Sequence, residues 1–209
     1  MFHIEKFKDY HKITAQKDIL ISLHYIYKNV SYIEDSSLFL LSTNIQSFKN
    51  WNKNNIFTSI HMGTLLHNAI NQLIVLSELK KCYIGLNIED IFIKDDKDIL
   101  IIPSDKNIFS IQQTGINLSI PFEKSYFTCP EIMNAKSLPI KIEPQYLYFT
   151  IGQLCIFCMF NINILKANEL MDNQLIENIL LPIKNSNYYW CIKNSILKNG
   201  VKRELLFID

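Results

Sequence analysis

Tyr83-Ile84-Gly85-Leu86-Asn87-Ile88-Glu89-Asp90-Ile91-Phe92-Ile93 decides the fold, because the chain changes its hydrophobic period on either side of it. Upstream, Ile60, Leu65, Leu66, Ile70, Leu73, Ile74, Leu76 and Leu79 recur at three- and four-residue spacing, which predicts a long amphipathic helix within Ile56 to Lys81. Downstream, an acidic turn, Lys94-Asp95-Asp96-Lys97-Asp98, leads into the apolar run Ile99-Leu100-Ile101-Ile102. Helix, loop, strand, turn and strand is the predicted order.

Working outward, Ile19, Leu20, Leu23, Ile26 and Tyr27 predict an amphipathic helix within Ala15 to Asn29. Residues 1–14 mix polar and aromatic side chains and leave room for one strand or an arm. Ser31 to Glu34 and Ser37 to Ser42 read as two strands around an Asp-Ser-Ser turn. Ile45 to Asn54 reads as a short helix with Phe48 and Trp51 three apart. Towards the C-terminus, helices are expected from Tyr146 to Leu165, from Ala167 to Leu181, from Ser186 to a stop at Asn199-Gly200, and from Val201 to Phe207. The expected class is α+β, mostly helical.

Composition narrows the functional classes. Of 209 residues, 48% are hydrophobic and 20% charged, which excludes a disordered chain and allows a buried core. The net charge of +1 supplies no field for nucleic acid or an anionic membrane, so neither is expected as a partner. Five cysteines, Cys82, Cys129, Cys155, Cys158 and Cys191, are scattered through apolar sequence and read as reduced, buried thiols. Cys155-x-x-Cys158 lies in an Ile/Phe-rich helix, where packing is the simpler reading than redox or metal chemistry. His61 and His67 are six apart and do not share a helix face, so no metal pair is expected. The Tyr146 to Leu165 run is interrupted by Gln153 and two asparagines and reads as a core helix, not a membrane span. Met1-Phe2-His3-Ile4-Glu5-Lys6 lacks an apolar run of signal-peptide length, so a cytoplasmic or nuclear protein is expected, not a secreted one. Heavy use of lysine, asparagine and isoleucine fits an AT-rich genome, such as that of a parasite or large DNA virus.

The spacing Tyr83-x-x-Leu86-x-x-Glu89-Asp90-Ile91 resembles the catalytic loop of the eukaryotic protein kinases, H-R-D-L-x-x-x-N, and its following hairpin. Further matches follow in order. Cys129-Pro130-Glu131 is similar to the A-P-E motif, and Leu147-Tyr148-Phe149-Thr150-Ile151-Gly152 to D-x-W-S-x-G, with Thr150 and Gly152 fitting. Arg203, the only arginine in the sequence, falls where the family keeps the partner of the A-P-E glutamate, which implies a buried Glu131–Arg203 pair. The resemblance implies a kinase-like large lobe over 45–209 and a remnant small lobe over 1–44, with one helix and two or three strands.

The same comparison removes the chemistry. Gly85 stands where the aspartate would accept the substrate proton, Tyr83 replaces the histidine, and Asp90 the metal-binding asparagine. Pro103-Ser104-Asp105 replaces Asp-Phe-Gly, and Leu147 replaces the aspartate that holds the loop. No glycine precedes Gly63, so no glycine-rich loop covers a phosphate. Asp18 is the one acid near the start of the first helix, and Lys6, Lys8 and Lys12 lie in a polar arm where solvation is the simpler reading. Losing a general base alone costs about 10²–10⁴ in rate. The expectation is therefore an inactive pseudokinase without cofactor or metal, acting as a protein-binding scaffold or allosteric partner. Candidate contact surfaces are Phe48 and Trp51, the hydroxyl-rich 103–128 segment, and Tyr188-Tyr189-Trp190. Two alternatives stay open. One is an atypical kinase that binds metal through Asp90, Asp95, Asp96 or Asp105, in place of a merely solvated acidic turn. The other is an unrelated helical adaptor.

Overall fold

The computed structural model describes residues 2–27, 30–34 (main chain only), 37–42, 44–112, 115–119, 125, 127–162, 173–197 and 202–205. Helices and short antiparallel strands are mixed along the chain, which divides into two compact units. One comprises Met1–Tyr83 with Asn87–Phe109, the other Ile84–Leu86 with Ser110–Asp209.

The first unit opens with β1 (His3–Lys6), β2 (Tyr10–Thr14), α1 (Lys17–Ile26), β3 (Val30–Glu34) and β4 (Ser37–Leu41). The four strands form one antiparallel sheet in the order β1-β2-β4-β3. Residues 1–14 thus supply two strands where one was expected, and the sheet has four strands, not two or three. The hairpin was obscured because only His11 and Ile13 of β2 are buried, while lysines and aromatics occupy the other positions. Its turn is closed by Phe7 N–H donating to Tyr10 O (2.8 Å) and by the stacked Phe7 and Tyr10 rings, 4.8 Å between centroids.

Next come β5 (Ile45–Ser47), α2 (Phe48–Trp51), α3 (Ser59–Glu78) and β6 (Lys81–Tyr83), then the hairpin β7 (Ile91–Lys94) and β8 (Asp98–Ile101). The single helix expected over 45–54 is a strand that turns into one helical turn, because Ile45–Ser47 pairs with Phe92–Lys94 in the sheet β5-β7-β8. α3 begins at a capping box in which Thr58 N–H donates to His61 Nδ1 (3.0 Å). Its buried stripe includes Met62, Leu65, Leu66, Ala69, Val75 and Leu76.

The hairpin ends at β8, whose outer edge has no strand beside it among the described residues. Helices supply the missing donors. Tyr27 OH (2.6 Å) and Asn68 Nδ2 (2.8 Å) both donate to Ile99 O, and Asn68 Nδ2 also reaches Tyr27 OH (2.8 Å). One turn on, Gln72 Nε2 donates to Ile101 O (2.9 Å) and to Ser22 Oγ (3.1 Å), which in turn donates to Ile19 O (2.7 Å). α1, α3 and β8 therefore share one core, and the residues on both sides of position 44 fall in the same compact unit.

β9 (Ile108–Gln112) starts in the first unit, where Cys82 Sγ donates to Phe109 O (3.6 Å). In the second unit it pairs with β10 (Gly115–Leu118), and β10 with β11 (Ile140–Ile142). Gly115 has φ +109 and sits where a Cβ would lie 2.7 Å from Ile142 O, so glycine is required there. The 103–128 segment is accordingly not one long loop: it contains a 3-10 turn, Asp105–Asn107, and two strands.

The remaining elements are α4 (Pro130–Met133), α5 (Tyr146–Phe160), α6 (Asn173–Leu180) and α7 (Asn187–Leu197). Ten of the fifteen residues of α5 are buried, as expected of a core helix. It packs against α7 at Gly152, where any Cβ would collide with Ser195 Oγ and lie 2.9 Å from Ile196 Cγ1. Among the described residues no helix is long and apolar enough to cross a membrane. Arg203, Glu204 and Leu205 are not helical, contrary to the helix expected over Val201 to Phe207. Thr43, Thr114, the Asp35-Ser36 turn, residues 167–172 and the Asn199-Gly200 stop lie outside the described residues.

Asn68→Leu keeps the bulk of the side chain and removes both donors. It should lower stability by about 1–3 kcal/mol, the usual consequence of orphaning buried polar partners, read as a lower urea midpoint with an unchanged slope.

Candidate functional site

The loop after α3 is built to hold shape. Gly85 has φ +74, a conformation that side chains with a Cβ rarely adopt, and it is flanked by the buried Ile84 and Leu86. Tyr83 is fully buried and its hydroxyl has no partner among the described residues; burial, and to a smaller extent Cys82, push its pKa upwards. Asp90 is also buried, and its Oδ2 accepts from Asn87 N–H (2.8 Å), closing the 3-10 turn Ile88–Asp90. Asp90 O accepts from Ile102 N–H (2.8 Å), which joins the loop to the residue just past β8.

The acidic turn is the most connected feature of the first unit. Asp95 (φ 51) and Asp96 (φ 57) both occupy the left-handed region, which aspartate tolerates better than most residues. Asp95 Oδ1 accepts from Ser42 Oγ and Asn44 N–H, 3.1 Å each. Asp96 Oδ1 accepts from Trp51 Nε1 (2.9 Å). His61 Nε2 donates to Asp96 O (2.9 Å), while its Nδ1 accepts the Thr58 main-chain hydrogen bond, so both ring nitrogens are engaged. Lys94, 7% exposed, places Nζ 3.1 Å from Asp95 Oδ2 and 3.0 Å from Asp98 Oδ2. Burial opposes the Lys94 charge, but hydrogen bonds and attraction from Asp98 and Asp95 outweigh it and raise the pKa above the usual lysine value.

These contacts correct two expectations. The turn is not simply solvated, because its carboxylates are engaged by Ser42, Asn44, Trp51 and Lys94. Nor do Phe48 and Trp51 form an exposed surface: both are buried, Phe48 against Phe57 (5.7 Å) and Trp51 against His61 (4.9 Å). The aromatic spacing of a short helix looks the same whether it faces water or core, and the packing of Phe57 and His61, with Asp96 accepting from Trp51, sets it inward. Among the described residues no group of three or more His, Cys, Asp or Glu side chains is disposed to hold a metal ion.

In the second unit, Arg203 Nη2 lies 2.8 Å from Glu131 Oε1, with the Arg203 side chain almost wholly buried. The guanidinium also sits over Phe149 (5.1 Å) and Tyr146 (5.9 Å), which a lysine ammonium would not match in shape. Nearby main chain is fixed by Thr150 Oγ1 donating to Phe127 O (2.7 Å) and by Ser125 N–H donating to Thr128 Oγ1 (2.9 Å). Ser125 and Thr128, from the segment expected to be a hydroxyl-rich loop, are therefore buried and structural.

All five cysteines are buried and free. Burial raises the pKa of each thiol, to about 12 for Cys82, Cys129 and Cys191, so thiolate chemistry is suppressed. Of the C-terminal aromatics, Tyr189 is buried, Tyr188 is half-buried, and only Trp190, 59% exposed, faces solvent. Lys193 Nζ lies over the Tyr189 (5.4 Å) and Trp190 (5.3 Å) rings and 2.6 Å from Glu177 Oε1. No protein-family model and no curated protein matches the sequence.

The residues that sequence reasoning passed over are His61, Lys94, Asn68 and Gln72. Thr58-x-x-His61 had the spacing of a capping box, and Asn68 and Gln72 were polar residues four apart inside an apolar stripe.

Lys94→Met should cost about 1–3 kcal/mol at neutral pH by leaving two carboxylates without their cation. Because the folded pKa of Lys94 is raised, its contribution is complete below 10.5 and is lost only as pH rises through the higher folded value. Thermal unfolding of wild type and variant should therefore converge in strongly alkaline buffer. Arg203→Lys should lower stability by about 1–2 kcal/mol, since the partly exposed Glu131 keeps a charge partner but the ring stacking is lost; a chemical denaturation midpoint equal to wild type would show that the planar group is dispensable.

Proposed function

We propose that the chain is a non-catalytic, protein-kinase-like module that works by binding another protein. The observation that carries this reading is a division between what is kept and what is lost. The scaffold contact of Glu131 with Arg203 is formed, with the guanidinium packed on Phe149 from the Leu147–Gly152 stretch. The position of the proton acceptor holds Gly85, which has no side chain to accept anything.

Further geometry supports it. The Asp90 carboxylate accepts the Asn87 main chain, and the Asp95 and Asp96 carboxylates accept from Ser42, Asn44 and Trp51, so binding a cation there would mean breaking internal hydrogen bonds. Leu147, where the family keeps a loop-holding aspartate, is buried as a core residue. The first sheet contains no glycine and therefore no flexible phosphate-covering loop. On this reading the surface that remains for a partner includes the exposed Trp190 ring, braced by Lys193.

Isothermal titration with Mg-ATP should give no saturable heat, and the protein should release no phosphate above a buffer control. Saturable binding together with phosphate release that is abolished by Asp90→Asn or Asp105→Asn would overturn the non-catalytic reading in favour of an atypical kinase.

A further inference from the structure

His11 lies on β2 with its side chain on the buried face of the first sheet, only 2% of the residue exposed. It forms a hydrogen bond with the Ser42 main chain. Its Nδ1 is buried and has no partner among the described residues, so that bond belongs to Nε2. Ser42 in turn gives its hydroxyl to Asp95 Oδ1 and Asn44 O, and Asp95 N–H donates to Asn44 O (2.9 Å). The imidazole thus stands at the start of the contacts that tie the β1-β2-β4-β3 sheet to the β7–β8 turn.

A neutral imidazole fits this place at little cost, because an orphaned lone pair is all that is left at Nδ1. An imidazolium does not fit. It would carry a second N–H with no acceptor and a charge sealed from water, and both are costly in a buried position. Two charged groups face it from neighbouring elements: Lys6, opposite it on β1, repels a positive charge, and Asp95 of the hairpin turn attracts one. Asp95 is already shared among Lys94, Ser42 and Asn44, which limits its ability to compensate.

We propose that His11 is an acid-sensitive latch, whose protonation loosens the β1-β2-β4-β3 sheet from the β7–β8 hairpin. Burial, the largest influence on the group, holds its pKa below the ordinary 6.5, with Lys6 acting in the same direction and the Ser42 bond and Asp95 acting against. The sign follows. A histidine with a depressed folded pKa contributes stability that is present above the unfolded value of about 6.5 and is lost as pH falls through that value towards the folded one.

The test uses the full chain. By NMR, the His11 ring proton should titrate with a midpoint below 6.5, and main-chain amides of β2 and β4 should lose hydrogen-exchange protection in the same range. His11→Met, which stays neutral, should remove that pH-dependent loss, so that its Tm falls less than that of wild type as pH is lowered below 6.5. Should His11→Met fail to fold, the titration of wild type decides alone. A His11 midpoint at or above 6.5, or a β2 and β4 exchange pattern that does not follow it, would overturn the proposal.

Discussion

An unpaired strand edge sets the terms for the first unit. β8 is hydrogen-bonded to β7 on one side only, and its other carbonyls point at helices, which have no main-chain donors to spare. Ile99 O and Ile101 O would each carry a desolvation penalty if they were covered by apolar side chains alone. Tyr27, Asn68 and Gln72 resolve this by bringing side-chain donors from two helices to one edge. The sites of those donors fix the rotation of α3 and the distance of α1, so the hairpin, both helices and the sheet attached to them hold one arrangement.

That constraint also explains which features were legible in the sequence. The long helix, the 91–101 hairpin and the buried helix at 146–160 were visible because each has a clean period and a core large enough to enforce it. The Glu131–Arg203 contact was implied by the resemblance to the kinase family, which sets the single arginine opposite the glutamate of Cys129-Pro130-Glu131. What escaped in the first unit was decided by contacts distant in sequence. The Trp51 ring is tied inward by Asp96, more than forty residues away, and the strand at 45–47 exists because Phe92 to Lys94 is there to pair with it. Nor does any local signal say that Asn68 will reach Ile99.

The acidic turn shows how polar residues can serve architecture in place of chemistry. Asp95 and Asp96 adopt a backbone shape that presents both carboxylates to neighbouring elements, and each meets a donor contributed by a different segment. Lys94 then offsets their charge from beneath.

The contact between α5 and α7 carries a lesson about tolerance to change. At Gly152 the two helices approach so closely that there is no volume for even a methyl group. One flank of α7 is therefore under a steric veto, whereas Trp190, on its outer flank, meets no such limit. Drift in this helix is channelled to the outward positions, which can change without disturbing the helix it leans on.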